Sequence, residues 1–258
     1  MKMRTLLTII YIYYPLLHLL LIISKWAVYG KEKKEQIKRF AESYLKDCIN
    51  DATNPPPYLT TKFAEVFVEL MKRSWPQYWP KAYELIKQAM RSSIRQFQTG
   101  EMIFTILLQE ISDKEENSRL SIERRKDLIQ QFNYNGDDFI KFILFTLDSY
   151  IKKMADSEQQ KYLIQNTIDL FTAMIPCIPE KMIRSNIDSI YMMMDPVSTD
   201  RDVFQHVVNF LCSLAGVQYT ANNRDFAISV LKRLLEVSKI LPNFFDQMGD
   251  ADLYKQFY

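Results

Sequence analysis

From Leu59, apolar residues recur at Leu59, Phe63, Val66, Phe67, Leu70 and Met71, the three-and-four spacing that gathers one stripe along an α-helix. The same rhythm returns at Met102, Ile103, Ile106 and Leu107, at Phe139, Phe142, Ile143, Leu147, Tyr150 and Ile151, and at Phe226, Val230, Leu231, Leu234 and Leu235. Further helical stretches are expected near 80–95, 119–132, 158–175, 180–194 and 200–215. No segment shows the sustained alternation of a strand. Breaks between helices are expected at NPPPY (54–58), WPQYWP (75–80), QTG (98–100), NYNGDD (133–138), PCIP (176–179) and DPVSTD (195–200).

When every second helix opens a hairpin, the starts fall near 59, 101, 137, 180 and 222. Those intervals cluster around the ~40–47 residues of HEAT-type repeats. The expected fold is all-α, a right-handed superhelical solenoid of HEAT-type helical hairpins, in which each hairpin buries its apolar face on its neighbours. Asp200, Asp202 or Thr199 can cap the helix that follows them, and the acids of NGDD are expected to start another. Phe244, Phe245, Tyr254, Phe257 and Tyr258 would remain partly uncovered at the end of such an array, so the chain reads as a piece of a longer solenoid.

Leu6 to Ile23 is an uncharged, strongly apolar run with Lys2 and Arg4 before it and Lys25 after it. Its length suits a bilayer span, so by itself the run reads as a signal anchor; the other reading is a buried first helix or a misplaced start. The chain therefore divides into residues 1–24, the apolar helix, and 25–258, the helical repeats.

Composition narrows the function more than it names it. Only 5 of 258 residues are glycine and 48% are hydrophobic, which argues for a folded helical chain without glycine-rich phosphate loops. A net charge of +2 advertises no global polyanion partner, so any basic surface is local. Cys48, Cys177 and Cys212 are too scattered for a zinc or redox motif and read as reduced thiols, and the absence of an N-x-[ST] acceptor agrees.

Catalysis has little to stand on. The phosphate-loop, dinucleotide, zinc-protease and nucleophile-elbow motifs are missing, and His18 and His206 are the sole histidines, each in an apolar helical setting. No metal site and no cofactor is expected. The acid pairs Glu115 with Glu116 and Asp137 with Asp138 read as solvated loops or helix starts, and the methionines of YMMMD (191–195) as adaptable packing. Three basic clusters are the candidate partner-binding residues: Lys31, Lys33 and Lys34; a face carrying Lys87, Arg91 and Arg95; and Arg124, Arg125 and Lys126. Each could be an ordinary solvated helix face, but several on one wall would make a track for phosphate backbones.

KRSWPQYWP (72–80) places two tryptophans and two prolines within six residues. Proline forbids a helix interior and tryptophan supplies a large buried surface, so the stretch predicts a packed corner between two helices. ELMKRSWPQYWPKAYELI (69–86) resembles the W-P-x-x-W-P signature near the amino end of importin-β-like transport receptors, especially exportins. KWAVYGKEKKEQIKRFAESYLKD (25–47), TGEMIFTILLQEISDK (99–114) and IERRKDLIQQ (122–131) are similar to the flanking stretches of the exportins that carry structured small RNAs.

The resemblance implies that Trp75 and Trp79 wedge into the helix stack, while Pro76 and Pro80 set the turn and open the next helix. It implies a nuclear export receptor with no chemistry of its own. Such a receptor holds GTP-bound Ran on its inner surface, encloses a cargo of protein or structured RNA, passes nucleoporins, and shuttles between nucleus and cytoplasm. The GTP belongs to Ran. Arg124, Arg125 and Lys126 would contribute to a charged inner or edge surface. On this reading Leu6 to Ile23 is a buried repeat helix; the alternative is a membrane-anchored helical-repeat scaffold for protein interactions.

Overall fold

The computed structural model describes residues 25–48, 56–112, 120–152, 158–216 and 224–240, and these are helical apart from turns. In chain order they form α1 (Lys31–Ser43), α2 (Pro57–Ser74), α3 (Ala82–Met90), α4 (Ile94–Ser112), α5 (Ile122–Ile151), α6 (Glu158–Met174), α7 (Glu180–Ser185), α8 (Ile187–Met194), α9 (Arg201–Ala215) and α10 (Arg224–Ser238). The fold is all-α, a helical-hairpin repeat of the HEAT type. The runs Leu6 to Ile23 and 241–258, and the side chain of Cys48, lie outside the described residues. Among the described residues, no helix is long and apolar enough to cross a membrane.

The chain divides into two compact units, Met1–Gln131 and Phe132–Tyr258. In the first unit α4 packs on both α2 and α3. Pro57 opens α2 at its first position, where a missing N–H costs nothing, and every residue of the stripe from Leu59 to Met71 is fully buried. Pro76 ends the helix by sterics: a residue before proline is pushed out of the α region, and Trp75 sits at φ −83°, ψ 141°. On α4 the buried stripe is Ile103, Phe104, Leu107, Leu108 and Ile111, leaving Met102 and Ile106 half-buried at its margin.

In the second unit α9 packs on α6 and α10, with Phe171 and Phe210 in contact at 4.9 Å between ring centres. Asp200 caps α9, accepting from the backbone N–H groups of Asp202 and Val203 at 3.0 and 3.3 Å. Of the stripe expected on α10, Phe226 and Val230 are buried, whereas Leu231 and Leu235 are 52% and 65% exposed. Cys177 is buried, and burial pushes its thiol up to about 12.

Two expected breaks are absent, for one physical reason. QTG lies inside α4, and NYNGDD lies inside α5, which runs through 30 residues without interruption. No hairpin starts near 137, and Asp137 and Asp138 do not open a helix. Both glycines lie where another side chain approaches the helix closely, tightly at Gly100 and against a flexible side-chain end at Gly136. A Cβ on Gly100 would meet Met90 Cγ at 2.4 Å and Ile86 Cγ2 at 3.1 Å, and one on Gly136 would meet Met182 Sδ at 2.8 Å. Glycine serves here as a close-approach residue, at a helix-propensity cost of ~1 kcal/mol.

Candidate partner-binding surface at the tryptophan corner

The corner between α2 and α3 occupies residues 75–81, and its two tryptophans point in different directions energetically. Trp75 is 1% exposed and stacks on Tyr83 at 6.1 Å, which in turn meets Phe104 of α4 edge-on at 5.6 Å. Trp79 packs on Phe67 of α2 at 4.9 Å, and Phe67 continues through Phe63 to Tyr44 beyond α1. The two rings thus tie one turn to α4 on one side and to the region of α1 on the other. Pro76 follows a cis peptide bond and Pro80 is exposed two residues before α3 begins.

Such a turn exposes backbone carbonyls and a helix C-terminus, which must find donors. They come from both flanks. Arg124, near the start of α5, donates from Nε to the Lys72 carbonyl at 2.7 Å and from Nη2 to the Met71 carbonyl at 3.3 Å. It also donates to the Trp75 carbonyl and, from Nη1, to Gln77 Oε1 at 3.0 Å. Burial lowers its pKa from the ordinary arginine value, and Asp127 nearby works against that shift. From α1, Lys38 donates to the Tyr78 carbonyl at 2.6 Å, and Glu42 accepts from Trp79 Nε1 and Lys81 Nζ, each at 2.8 Å. Buried Lys72 bridges Glu69 at 2.6 Å and Glu110 of α4. Burial pushes the Glu69 carboxyl up, but hydrogen bonds from Lys72 and Arg73 outweigh it, and the net shift is downward.

This geometry redistributes the basic clusters. Arg124 is committed to the α2 C-terminus, a structural clamp, and is not a free contact for a partner. Lys87 is 4% exposed, paired with Glu84 at 3.3 Å and set over the Tyr83 ring at 5.1 Å, so it too faces inward. Lys87, Arg91 and Arg95 do not form one helical face, because α3 stops at Met90 and α4 begins at Ile94. Arg91, Lys31, Lys33 and Lys126 are exposed, and Arg95, Lys34 and Arg125 are half-buried. The buried cations Lys38 and Lys72, and the acceptor Glu42, were missed. Lys38 follows Lys31 and Lys34 at helical spacing, and that spacing was the one signal available for it.

A cleft of 760 Å³ lies beside the corner, lined by Trp26, Lys31, Lys34, Glu35, Lys38, Arg73, Ser74, Gln77 and Tyr78. Four cations face one carboxylate there. His206, in the second unit, sits 2.7 Å from Asp169 Oδ1 on a partly exposed face, and among the described residues no cluster of His, Cys, Asp or Glu could hold a metal ion.

Residues 56–211, from the first residues of α2 to the middle of α9, match the family model described as Exportin 1-like protein. The chain is 30% identical over 142 residues to Exportin-5 of Mus musculus, covering 50% of this chain and 12% of that protein. Against Exportin-5 of Homo sapiens it is 26% identical over 129 residues, covering 50% of this chain and 10% of that protein. The chain thus spans about a tenth of the length of these relatives. A corner built from Trp75, Pro76, Trp79 and Pro80 inside an all-helical stack, and a family match over more than half of the chain, lead to one statement: the chain belongs to the Exportin 1-like family of nuclear transport receptors.

Proposed function

We propose that the chain is the amino-terminal part of a nuclear export receptor that binds GTP-bound Ran together with cargo, and releases both when Ran hydrolyses its GTP. The observation that carries the reading is the family match over 56–211, which begins at α2 and includes the clamped corner. The relatives' name, Exportin-5, supports a carrier in particular, and the exposed basic residues supply a surface for an acidic or phosphate-bearing partner. Cargo is protein or structured RNA, nucleoporins are transient partners, and the chain shuttles between nucleus and cytoplasm. The protein supplies no cofactor and no catalysis, since the nucleotide belongs to Ran.

Within this reading Lys31, Lys33, Lys34, Arg91, Arg95, Arg125 and Lys126 are the contacts offered to Ran or cargo. Binding of the two partners is coupled, each raising the other's affinity through one shared set of helices. The test is affinity of the purified chain for Ran loaded with a non-hydrolysable GTP analogue against Ran loaded with GDP, with and without a stem-loop RNA. Preference for the GTP form is expected. Equal affinity for the two forms would remove the export-receptor assignment, and unchanged binding after Arg125→Glu with Lys126→Glu would remove those two residues from the contact.

A further inference from the structure

We propose that the outward face of α10 is the seat of residues 241–258, the stretch that follows that helix in the same chain. α10 is apolar on two sides. Phe226, Val230 and Val237 are buried, and the helix packs on α9. On the opposite side Ile228, Leu231 and Leu235 are 37%, 52% and 65% exposed. Their three-and-four spacing sets them in one stripe, where a helix that needed only α9 would be polar.

Charge marks the same side. Arg224, Lys232 and Lys239 are exposed, run along the stripe at helical spacing, and make no ion pair with any described residue. Arg233, by contrast, is turned away and held by Asp195, just past α8, and by Glu236. One acid on this side, Asp225, is likewise without an ion pair to a described residue. The surface is thus apolar along its centre and basic around it.

The occupant follows from that chemistry. Residues 241–258 read LPNFFDQMGDADLYKQFY, in which Leu241, Phe244, Phe245 and Met248 keep three-and-four spacing. Asp246, Asp250 and Asp252 outnumber the one cation there, Lys255. An acidic apolar segment is what a basic apolar face accepts. Pro242 does not fit the interior of a continued α10, which favours a return along that helix over an extension of it. Reach is ample, because α10 is about 22 Å long at ~1.5 Å per residue and an extended chain covers ~3.3 Å per residue. A second copy of α10 fits less well, since pairing two such faces about Leu231 brings two copies of Lys232 together. A phosphate backbone fits the lysines but gains nothing from Ile228, Leu231 and Leu235 between them. Phe244 and Phe245, expected to be partly uncovered, gain a receptor on this face.

The experiment is hydrogen exchange of the full 258-residue chain, read by mass spectrometry at low salt. Slow exchange is expected within 243–258, quickened about tenfold by Leu231→Ser with Leu235→Ser while the amides of α6 and α9 keep their rates. Lys232→Glu with Lys239→Glu should quicken it about threefold, an effect that shrinks near about 1 M salt. Rapid exchange throughout 243–258 in the unmodified chain overturns the proposal, as does slow exchange that survives the serine pair with α6 and α9 unchanged. Should the serine pair loosen α9 as well, the glutamate pair, which replaces two exposed side chains, decides by the same criterion. Slow exchange that appears only at concentrations where sedimentation shows self-association overturns the proposal in favour of a second copy.

Discussion

Each compact unit turns one sharp corner with a cation from a distant helix, and the two cations address opposite ends of the helix they hold. At residues 75–81 Arg124 reads carbonyls at the C-terminus of α2, the negative end of its dipole. At residues 195–200 Lys161 of α6 reads carboxylates at the N-terminus of α9: Asp200 at 3.2 Å and Asp202 at 3.1 Å, whose charges already complement that end. Those two aspartates raise the Lys161 pKa through hydrogen bonds, Asp202 first. The planar guanidinium supplies several directed donors to fixed backbone atoms, whereas the ammonium supplies a point charge to side chains that can move. The first corner is thus specified by geometry and the second by charge.

The largest expected contrast lies in the apolar anchors. Trp75→Ala should lower stability of the first unit by about 3–5 kcal/mol, and Val197→Ala, two methyl groups fully buried at the other corner, the second by about 1–2 kcal/mol, read as urea midpoints. Similar losses at both corners would break the comparison. Next comes the clamp. Arg124→Ala should cost about 2–3 kcal/mol and Arg124→Lys should recover little of it. Full recovery by lysine would mean that charge, not the fork of donors, holds the first corner. For the second corner, Asp200→Ala should cost about 1 kcal/mol, and Lys161→Gln a smaller shift that vanishes near about 1 M salt, with Arg124→Ala salt-insensitive by contrast.

The glycines give a finer contrast. Gly100→Ala forces a methyl onto Met90 Cγ and Ile86, near the roots of both side chains, and should cost about 1–2 kcal/mol after the helix gains some propensity. Gly136→Ala crowds the flexible sulfur end of Met182 and makes an ordinary contact with Ile178, and should be neutral within about 0.5 kcal/mol. The smallest effect is one of pH. The Glu69 pKa lies below its ordinary 4.5, so its contribution is complete above that value and is lost as pH falls through the depressed one. Glu69→Gln should therefore flatten the acid side of the stability profile below about pH 4.5, and an unchanged slope there would show the Lys72 pairing to be energetically idle.

Helical periodicity, proline punctuation and the Asp200 cap were readable along the chain because each depends on neighbours within one or two turns. The full burial of Leu59, Phe63, Val66, Phe67, Leu70 and Met71 follows from spacing alone. What was not readable depends on partners far away in sequence. Gly100 and Gly136 look like breakers until Met90 and Met182 are placed against them. Arg124 looks like one of three equivalent surface charges until the carbonyls of Met71, Lys72 and Trp75 are brought to it. Lys87, Arg91 and Arg95 have the spacing of one face, yet the chain turns between them. At the candidate site, Lys31 and Lys34 were visible as charges, while Ser74 and Gln77 carry no signal until the corner folds.

The Arg124 clamp also imposes an order on assembly. In a chain made from its amino end, Lys38 and Glu42 precede Trp79 by about 40 residues, but Arg124 follows Lys72 by 52. At ~5–20 residues per second that last donor arrives several seconds after the carbonyls it serves. During that interval α1 and then α4 hold the turn through side chains, the α2 carbonyls that Arg124 serves remain bonded to water, and the emergence of α5 is the event that closes it.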